Sequence, residues 1–365
     1  MALPSSMAHS LPAASSLADL AKHVLPDDVQ AALVQVQERL SLLGQEAESS
    51  WLTETLAHTL GTPGKLLRPT LCLLAGQATG GLVPAHIQTA TVAEMIHVAT
   101  LLHDDVLDDA ELRRNRPTAR TRWGNTVSIL SGDYLLAEAS RLLAQTGHIR
   151  LVSIFSDVLA DLCSGEIEQL RTQRQWPTNP QELTAAWASY HQKTLCKTAS
   201  LFAAACESGG WINGLNDHQL QALKLYGQQL GLAFQLVDDG LDYNSTVQDA
   251  GKPVMGDIQQ GLVTAPVLLA LESERLTDPQ RQELGRLVQH IFVQTAQPSS
   301  NRTPLSASLQ ELQHLVQQSG AEALLLAKAE AAIESAVTAL ELVCSPSASR
   351  QALVLLAQGS VTRTR

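Results

Sequence analysis

Aromatic residues are scarce in this 365-residue chain, at 4%, while Ala, Leu and Gln are abundant. Those residues lose little rotamer freedom in a helix, so the bias favours helices over sheets. No run of about 18 apolar residues occurs, which excludes a predicted membrane span. The five cysteines (Cys72, Cys163, Cys196, Cys206 and Cys344) are scattered, odd in number and form no Cys-x-x-Cys pair. Buried free thiols in a reducing compartment are the expected reading. Basic residues are outnumbered, 25 Lys and Arg against 36 Asp and Glu, for a formal charge of −11. A general nucleic-acid surface is therefore not expected. The first 18 residues hold no Lys or Arg. That argues against a secretory or Arg-rich transit signal and for a cytoplasmic protein, with an organelle address left open. Residues 1–24, rich in Ser, Ala and Pro, read as a disordered tail.

Hydrophobic residues make up 45% of the chain, enough for a sizeable core. Helical periodicity starts near Asp27 and continues through Val83–Asp109, Thr126–Gln145, Ile149–Trp176, Pro180–Gly209, Asn216–Asp242 and Leu262–Glu274. Gln294–Pro304 reads as a polar surface loop. No β-rich segment is predicted, and residues 25–365 read as one all-α domain.

Two acidic clusters stand out. In His103-Asp104-Asp105-Val106-Leu107-Asp108, the residues Asp104 and Asp108 lie four apart at the end of a buried helix and share a face, with Asp105 flanking. Asp238, Asp239 and Asp242 repeat the arrangement. Paired carboxylates repel unless a cation lies between them, and hard oxygen ligands suit Mg²⁺, which takes further ligands from phosphates. Two such clusters on separate helices can face each other across a bundle, where bundles build metal sites. Cationic groups that could hold a diphosphate lie nearby: Lys65, Arg68, Arg113, Arg114, Lys193, Lys197 and Lys252. His97 lies two turns before Asp104 on a similar face. His103 faces elsewhere and reads as structural, and Glu166 is explained equally well by packing.

Together these segments resemble the trans-polyprenyl diphosphate synthase family, long-chain branch. The matches include Gly64-Lys-Leu-Leu-Arg-Pro69, Glu94–Asp108, Arg113-Arg114, Gly165-Glu166, Lys197-Thr-Ala199, Gly231–Asp242, Gly251-Lys252 and Gly256-Asp257. The resemblance implies the isoprenoid synthase fold, an antiparallel helix bundle around a central cavity, as a homodimer. It implies condensation of isopentenyl diphosphate with an allylic diphosphate primer, with about three Mg²⁺ per site and Mn²⁺ as a substitute. By carry-over, Asp104, Asp108 and Asp238 would bind the metal, with Asp105, Asp239 and Asp242 in support. Arg113, Lys197 and Lys252 would contact the allylic diphosphate. Lys65, Arg68, His97 and Arg114 would hold isopentenyl diphosphate. Gln235 and Thr198 would lie near the allylic carbon. Where the family often has Arg-Arg-Gly, this chain has Arg113-Arg114-Asn115, which implies a changed turn.

Short-chain relatives carry a bulky aromatic one turn before the first cluster. Here the residues are Ala99 and Thr100, which are expected to form the tunnel floor and leave it open for products of about C30 to C50. Such a product could draw the protein to membranes. Three alternatives remain at this point: a short-chain synthase, a class I terpene cyclase and a non-catalytic partner subunit.

Overall fold

The computed structural model describes residues 24–43, 45, 49–61, 64–244, 255–297 and 304–362. Lys252, the 363–365 tail and nearly all of the predicted N-terminal tail lie outside them. The helices are α1 (Asp27–Leu43), α2 (Ser50–Leu60), α3 (Leu67–Thr79), α4 (Pro84–Leu107), α5 (Ala119–Trp123), α6 (Asn125–Gln145), α7 (Ile149–Thr172) and α8 (Pro180–Thr194). A one-turn π-helix, Leu195–Ala199, leads into α9 (Ser200–Ile212) and α10 (Asp217–Asn244). After these come α11 (Gly256–Gln259), α12 (Ala265–Glu272), α13 (Asp278–Thr295), α14 (Ser306–Gln318), α15 (Ala321–Glu341) and α16 (Ala348–Thr362).

Helices α4 and α10 form the centre. Pro84 starts α4, where its missing N–H is no loss. His86 closes the first turn: its Nδ1 accepts the Val83 N–H at 3.0 Å, so its Nε2–H donates to the Gly209 carbonyl, also at 3.0 Å. Both ring nitrogens are satisfied only in the neutral form, and burial accordingly lowers the His86 pKa. Val92, Ala93, Met95, Ile96, Val98, Ala99 and Leu102 bury the apolar sides of α4 against α3, α6 and α9. Helix α10 packs on α9 and α15. Its approach to the π-turn before α9 is close enough that a Cβ on Gly231 would fall 2.6 Å from the Ala199 Cα, so only glycine fits there.

Three expectations change, the first being that the Cys163 thiol is exposed, unlike the other four. Residues 112–117 form a two-stranded antiparallel hairpin, Leu112–Arg113 against Arg116–Pro117, where no strand was predicted. Arg114 and Asn115 make its two-residue turn with φ of +52° and +60°. Two left-handed residues suit the right-handed twist of a hairpin, and Asn tolerates that conformation well. Two-residue strands are too short to leave an alternating pattern in the sequence. Helix α7 also stops at Thr172 rather than running to Trp176. Arg174 adopts φ +60° and donates its N–H to the Gly261 carbonyl at 2.7 Å, a tertiary contact that ends the helix.

Candidate active site

A cavity of about 560 Å³ opens between these helices. Along α4 its wall carries Glu94, His97, Leu101 and Asp104, spaced three, four and three residues apart on one face. Thr100 also lines it, whereas Ala99 is fully buried among the helices and does not. Five residues before Asp104, Ala99 points about 140° away, so of the two expected floor residues only Thr100 reaches the cavity. Phe234, Gln235 and Asp238 enter from α10; Lys197 and Thr198 from the π-turn; Leu162 from α7; Leu201 and Phe202 from α9. Lys65 and Arg68 arrive from the start of α3, and Arg113 and Arg114 from the hairpin.

The first cluster sits at the end of α4. Burial pushes the Asp104 carboxyl up to about 6, Lys197 pulls it down, and Glu166 and Asp108 add to the rise. Burial also raises Asp108, with Glu166 and Asp105 adding to the rise and Lys197 and Arg113 opposing it. Asp105 turns away from the cavity and accepts from Arg113 Nε at 2.8 Å. Glu166, which sequence reasoning left to packing, pairs with Lys197 beside Asp104 and Asp108. Gly165 makes this approach possible, because a Cβ there would lie 2.7 Å from Lys197 Cγ. The π-turn carries Lys197 and Thr198 out of α-helical register, a distortion common at functional sites.

The second cluster is more deeply held. Asp239 is 2% exposed and accepts from Tyr190 Oη and Gln235 Nε2, each at 2.7 Å. Burial raises its pKa to about 7 against those two bonds. Gln235 Oε1 in turn accepts from Thr198 Oγ1 at 2.9 Å. Asp242 accepts from the backbone N–H of Gly256 at 3.1 Å and of Asp257 at 3.2 Å, anchoring the segment after α10. That segment brings in Asp257, whose carboxyl burial pushes far up, helped by Asp242, Asp239, Asp238 and Asp108. Lys193 lies outside this cavity and donates to Thr172 Oγ1 at 3.2 Å.

The basic lining includes Lys65, Arg68, His97 and Arg114. Arg68 stacks on the Phe202 ring at 4.7 Å, and its buried Nε has no hydrogen-bond partner. His97 is held neutral: burial lowers its pKa well below the usual value, and Arg68, Arg114 and Arg113 lower it further. Arg114 is aimed from a left-handed backbone position, which few non-glycine residues adopt.

Among the described residues, no three carboxylates, histidines or cysteines converge closely enough to cage an ion by themselves. Asp104 and Asp238 instead face one cavity from two helices, with burial and then the Glu166 and Asp108 charges raising Asp104. Hard oxygen donors distributed in this way fit divalent ions that take their remaining ligands from water and a diphosphate.

Residues 49–298 match the model of the polyprenyl synthetase family. The chain belongs to that family. Among curated relatives, component 2 of the heptaprenyl diphosphate synthase of Bacillus subtilis is 37% identical over 225 residues, covering 62% of this chain and 63% of that protein. The chain thus spans less than two thirds of that relative's length. Two solved structures agree in fold over nearly the whole chain. A decaprenyl diphosphate synthase from Rhodobacter capsulatus has a TM-score of 0.78 at 33% identity, covering 96% of this chain and 98% of that one. A polyprenyl synthase from Caulobacter crescentus, complexed with calcium and isoprenyl diphosphate, has a TM-score of 0.80 at 29% identity, covering 96% and 99%. The family's fold, the isoprenoid synthase fold, is therefore the fold of this chain. Among the described residues no helix is long and apolar enough to cross a membrane.

Proposed function

We propose that this chain condenses isopentenyl diphosphate with an allylic diphosphate primer to make linear polyprenyl diphosphates. The supporting observation is a single cavity lined both by Asp104 and Asp238 and by a second, basic group, Lys65, Arg68, His97 and Arg114. A class I cyclase ionises one diphosphate and has no use for that second group. A non-catalytic subunit has no need of two intact Asp clusters.

Arg113 and Lys197, with Lys252, bind the primer's diphosphate next to Asp104, Asp108 and Asp238. Mg²⁺ held by those three aspartates, about three ions per site, would neutralise charge on the departing group. Lys65, Arg68, Arg114 and neutral His97 hold the diphosphate of isopentenyl diphosphate. The primer's C–O bond breaks and its electron pair leaves with diphosphate. The alkene of isopentenyl diphosphate supplies the pair for the new C–C bond, and a proton lost from the adjacent carbon restores the double bond; the released diphosphate is the base. Gln235 Oε1, fixed by Thr198 and through Asp239, turns a carbonyl dipole toward the developing cation. Leu162, Leu201, Phe202 and Phe234 keep water from quenching it.

The product is long, about C30 to C50, because Thr100 leaves the α4 wall open where a ring would close it. Thr100→Phe should shorten the product, whereas Ala99→Phe should cost about 1–3 kcal/mol of stability by overpacking a site that does not face the cavity. The enzyme works as a homodimer: Ile129 and Leu130 on α6, and Ile167 and Leu170 on α7, are 40–66% exposed and would be covered by a second copy. The deciding experiment incubates the protein with Mg²⁺, labelled isopentenyl diphosphate and primers of several lengths, then sizes the products. No condensation with any primer, or full turnover in excess EDTA, would overturn the reading. Products that stop at C15 or C20 would overturn the length assignment alone.

A further inference from the structure

His58, half-buried on α2, lies outside the cavity and has no part in the chemistry above, yet it is bonded to the hairpin that carries Arg113 and Arg114. Its Nε2 lies 2.8 Å from the Pro117 carbonyl oxygen, and its Nδ1 lies 3.1 Å from Arg116 Nη2 and 3.1 Å from Arg122 Nη1. A carbonyl only accepts and a guanidinium only donates, so Nε2–H is the donor and Nδ1 the acceptor. The ring also stands edge-on to Trp123, with centroids 5.4 Å apart, and Arg122 stacks on that same Trp123 at 4.8 Å. One histidine thus ties α2 both to the second strand of the hairpin and to α5. The tie matters because two residues per strand give too few ladder bonds for a hairpin to hold its own position.

We infer that His58 is a positioning residue for isopentenyl diphosphate: by holding Pro117 and Arg116, it fixes the turn from which Arg114 reaches the cavity. The inference rests on reading Lys65, Arg68, His97 and Arg114 as the isopentenyl diphosphate subsite. The Arg114 guanidinium lies directly against Gly64, where an added Cβ would fall 2.8 Å and 3.0 Å from its two terminal nitrogens. That places it beside Lys65, and its position depends on the left-handed turn beneath it. A guanidinium fixed in advance loses less freedom when the anion arrives. Arg113 pairs with Arg116 in the ladder, but Asp105 holds its Nε separately at 2.8 Å. The primer's diphosphate should therefore feel the loss of His58 much less than isopentenyl diphosphate does.

The test is steady-state kinetics of His58→Phe, His58→Gln and Arg114→Ala, with His58→Phe also combined with Arg114→Ala. His58→Phe keeps a ring beside Trp123 and removes both nitrogens. It should raise KM for isopentenyl diphosphate about fivefold, with kcat and the primer's KM within about twofold. His58→Gln supplies an amide that can donate to Pro117 and accept from Arg116, so it should recover most of that loss. On the Arg114→Ala background, His58→Phe should add less than on the wild type, because the two act on one contact. If Arg114→Ala raises the KM for isopentenyl diphosphate and His58→Phe does not, the inference is overturned and the subsite reading stands. Equal rises in both KM values, equal losses in His58→Phe and His58→Gln, or full additivity in the double variant would also overturn it. If His58→Phe does not fold, Arg116→Met removes one partner of His58, keeps much of the side chain's length and decides by the same split. If Arg114→Ala itself leaves the KM for isopentenyl diphosphate unchanged, the subsite reading has failed, and this inference with it.

Discussion

The two Asp clusters share one spacing and almost nothing else. At the first, the neighbours are charged: Arg113 takes Asp105, while Lys197 and Glu166 surround Asp104 and Asp108. At the second, Tyr190 and Gln235 hold Asp239, two main-chain N–H groups hold Asp242, and the buried Asp257 carboxyl lies close by. The cause is position along the helix. The first cluster ends α4, where the chain leaves for the hairpin and Asp108 is exposed. The second lies within the last turns of α10, walled by α8 and the segment after Met255. Identical motifs thus give an adjustable electrostatic rim on one side and a hydrogen-bonded, preorganised wall on the other. Each cluster sends its first aspartate into the cavity and spends the second on support.

That division of labour can be broken from either side. The largest effect is expected from Asp104→Ala and Asp238→Ala, each lowering kcat about 10²–10³-fold, with a smaller change in the KM for isopentenyl diphosphate, as for loss of a group acting on developing charge. Single-turnover rates measure it, and near-wild-type turnover in either variant would remove that aspartate from the machinery. Tyr190→Phe should come next. It deletes one of the two side-chain bonds to buried Asp239, and stability should drop by about 1.5–3 kcal/mol in denaturant titrations. No comparable site exists at the first cluster, where Asp105 keeps a partly exposed Arg113 as its partner.

The smallest effect is on pH dependence. Asp104 at about 6 and Asp239 at about 7 are both raised above the unfolded carboxylate value of about 4. Between pH 4 and 7 the folded, metal-free protein therefore binds more protons than the unfolded chain. Their contribution to stability is full near pH 4 and is lost as pH rises through 6 to 7. In EDTA, the difference in unfolding midpoint between pH 5 and pH 8 should narrow by about 2–4 °C in Asp239→Asn relative to wild type. An unchanged difference would show that Asp239 is already ionised at pH 5.

Helices were legible wherever apolar spacing and a cap coincide. Pro84 and Pro180 open α4 and α8 where the pattern puts them, and the acids at Asp104 and Asp238 emerge from apolar runs that can only be buried. The opposition of the two clusters followed from their repetition on two helices. The 112–117 hairpin was not legible, since two residues per strand carry no period. Nor was the π-turn at Leu195–Ala199, which a continuous helical pattern conceals.

By itself, the sequence determined the all-α class, the paired carboxylates and the basic segments that accompany them, because helical period and residue type are local properties. Which of those residues reach the cavity was decided by tertiary structure. Ala99 and Thr100 are neighbours, and a rotation of 100° separates a buried contact from a cavity wall. Glu166, which packing alone could explain from the sequence, is set against Lys197 by the fold. Distance in space and loss of water decide what a charge does, and neither is written along the chain.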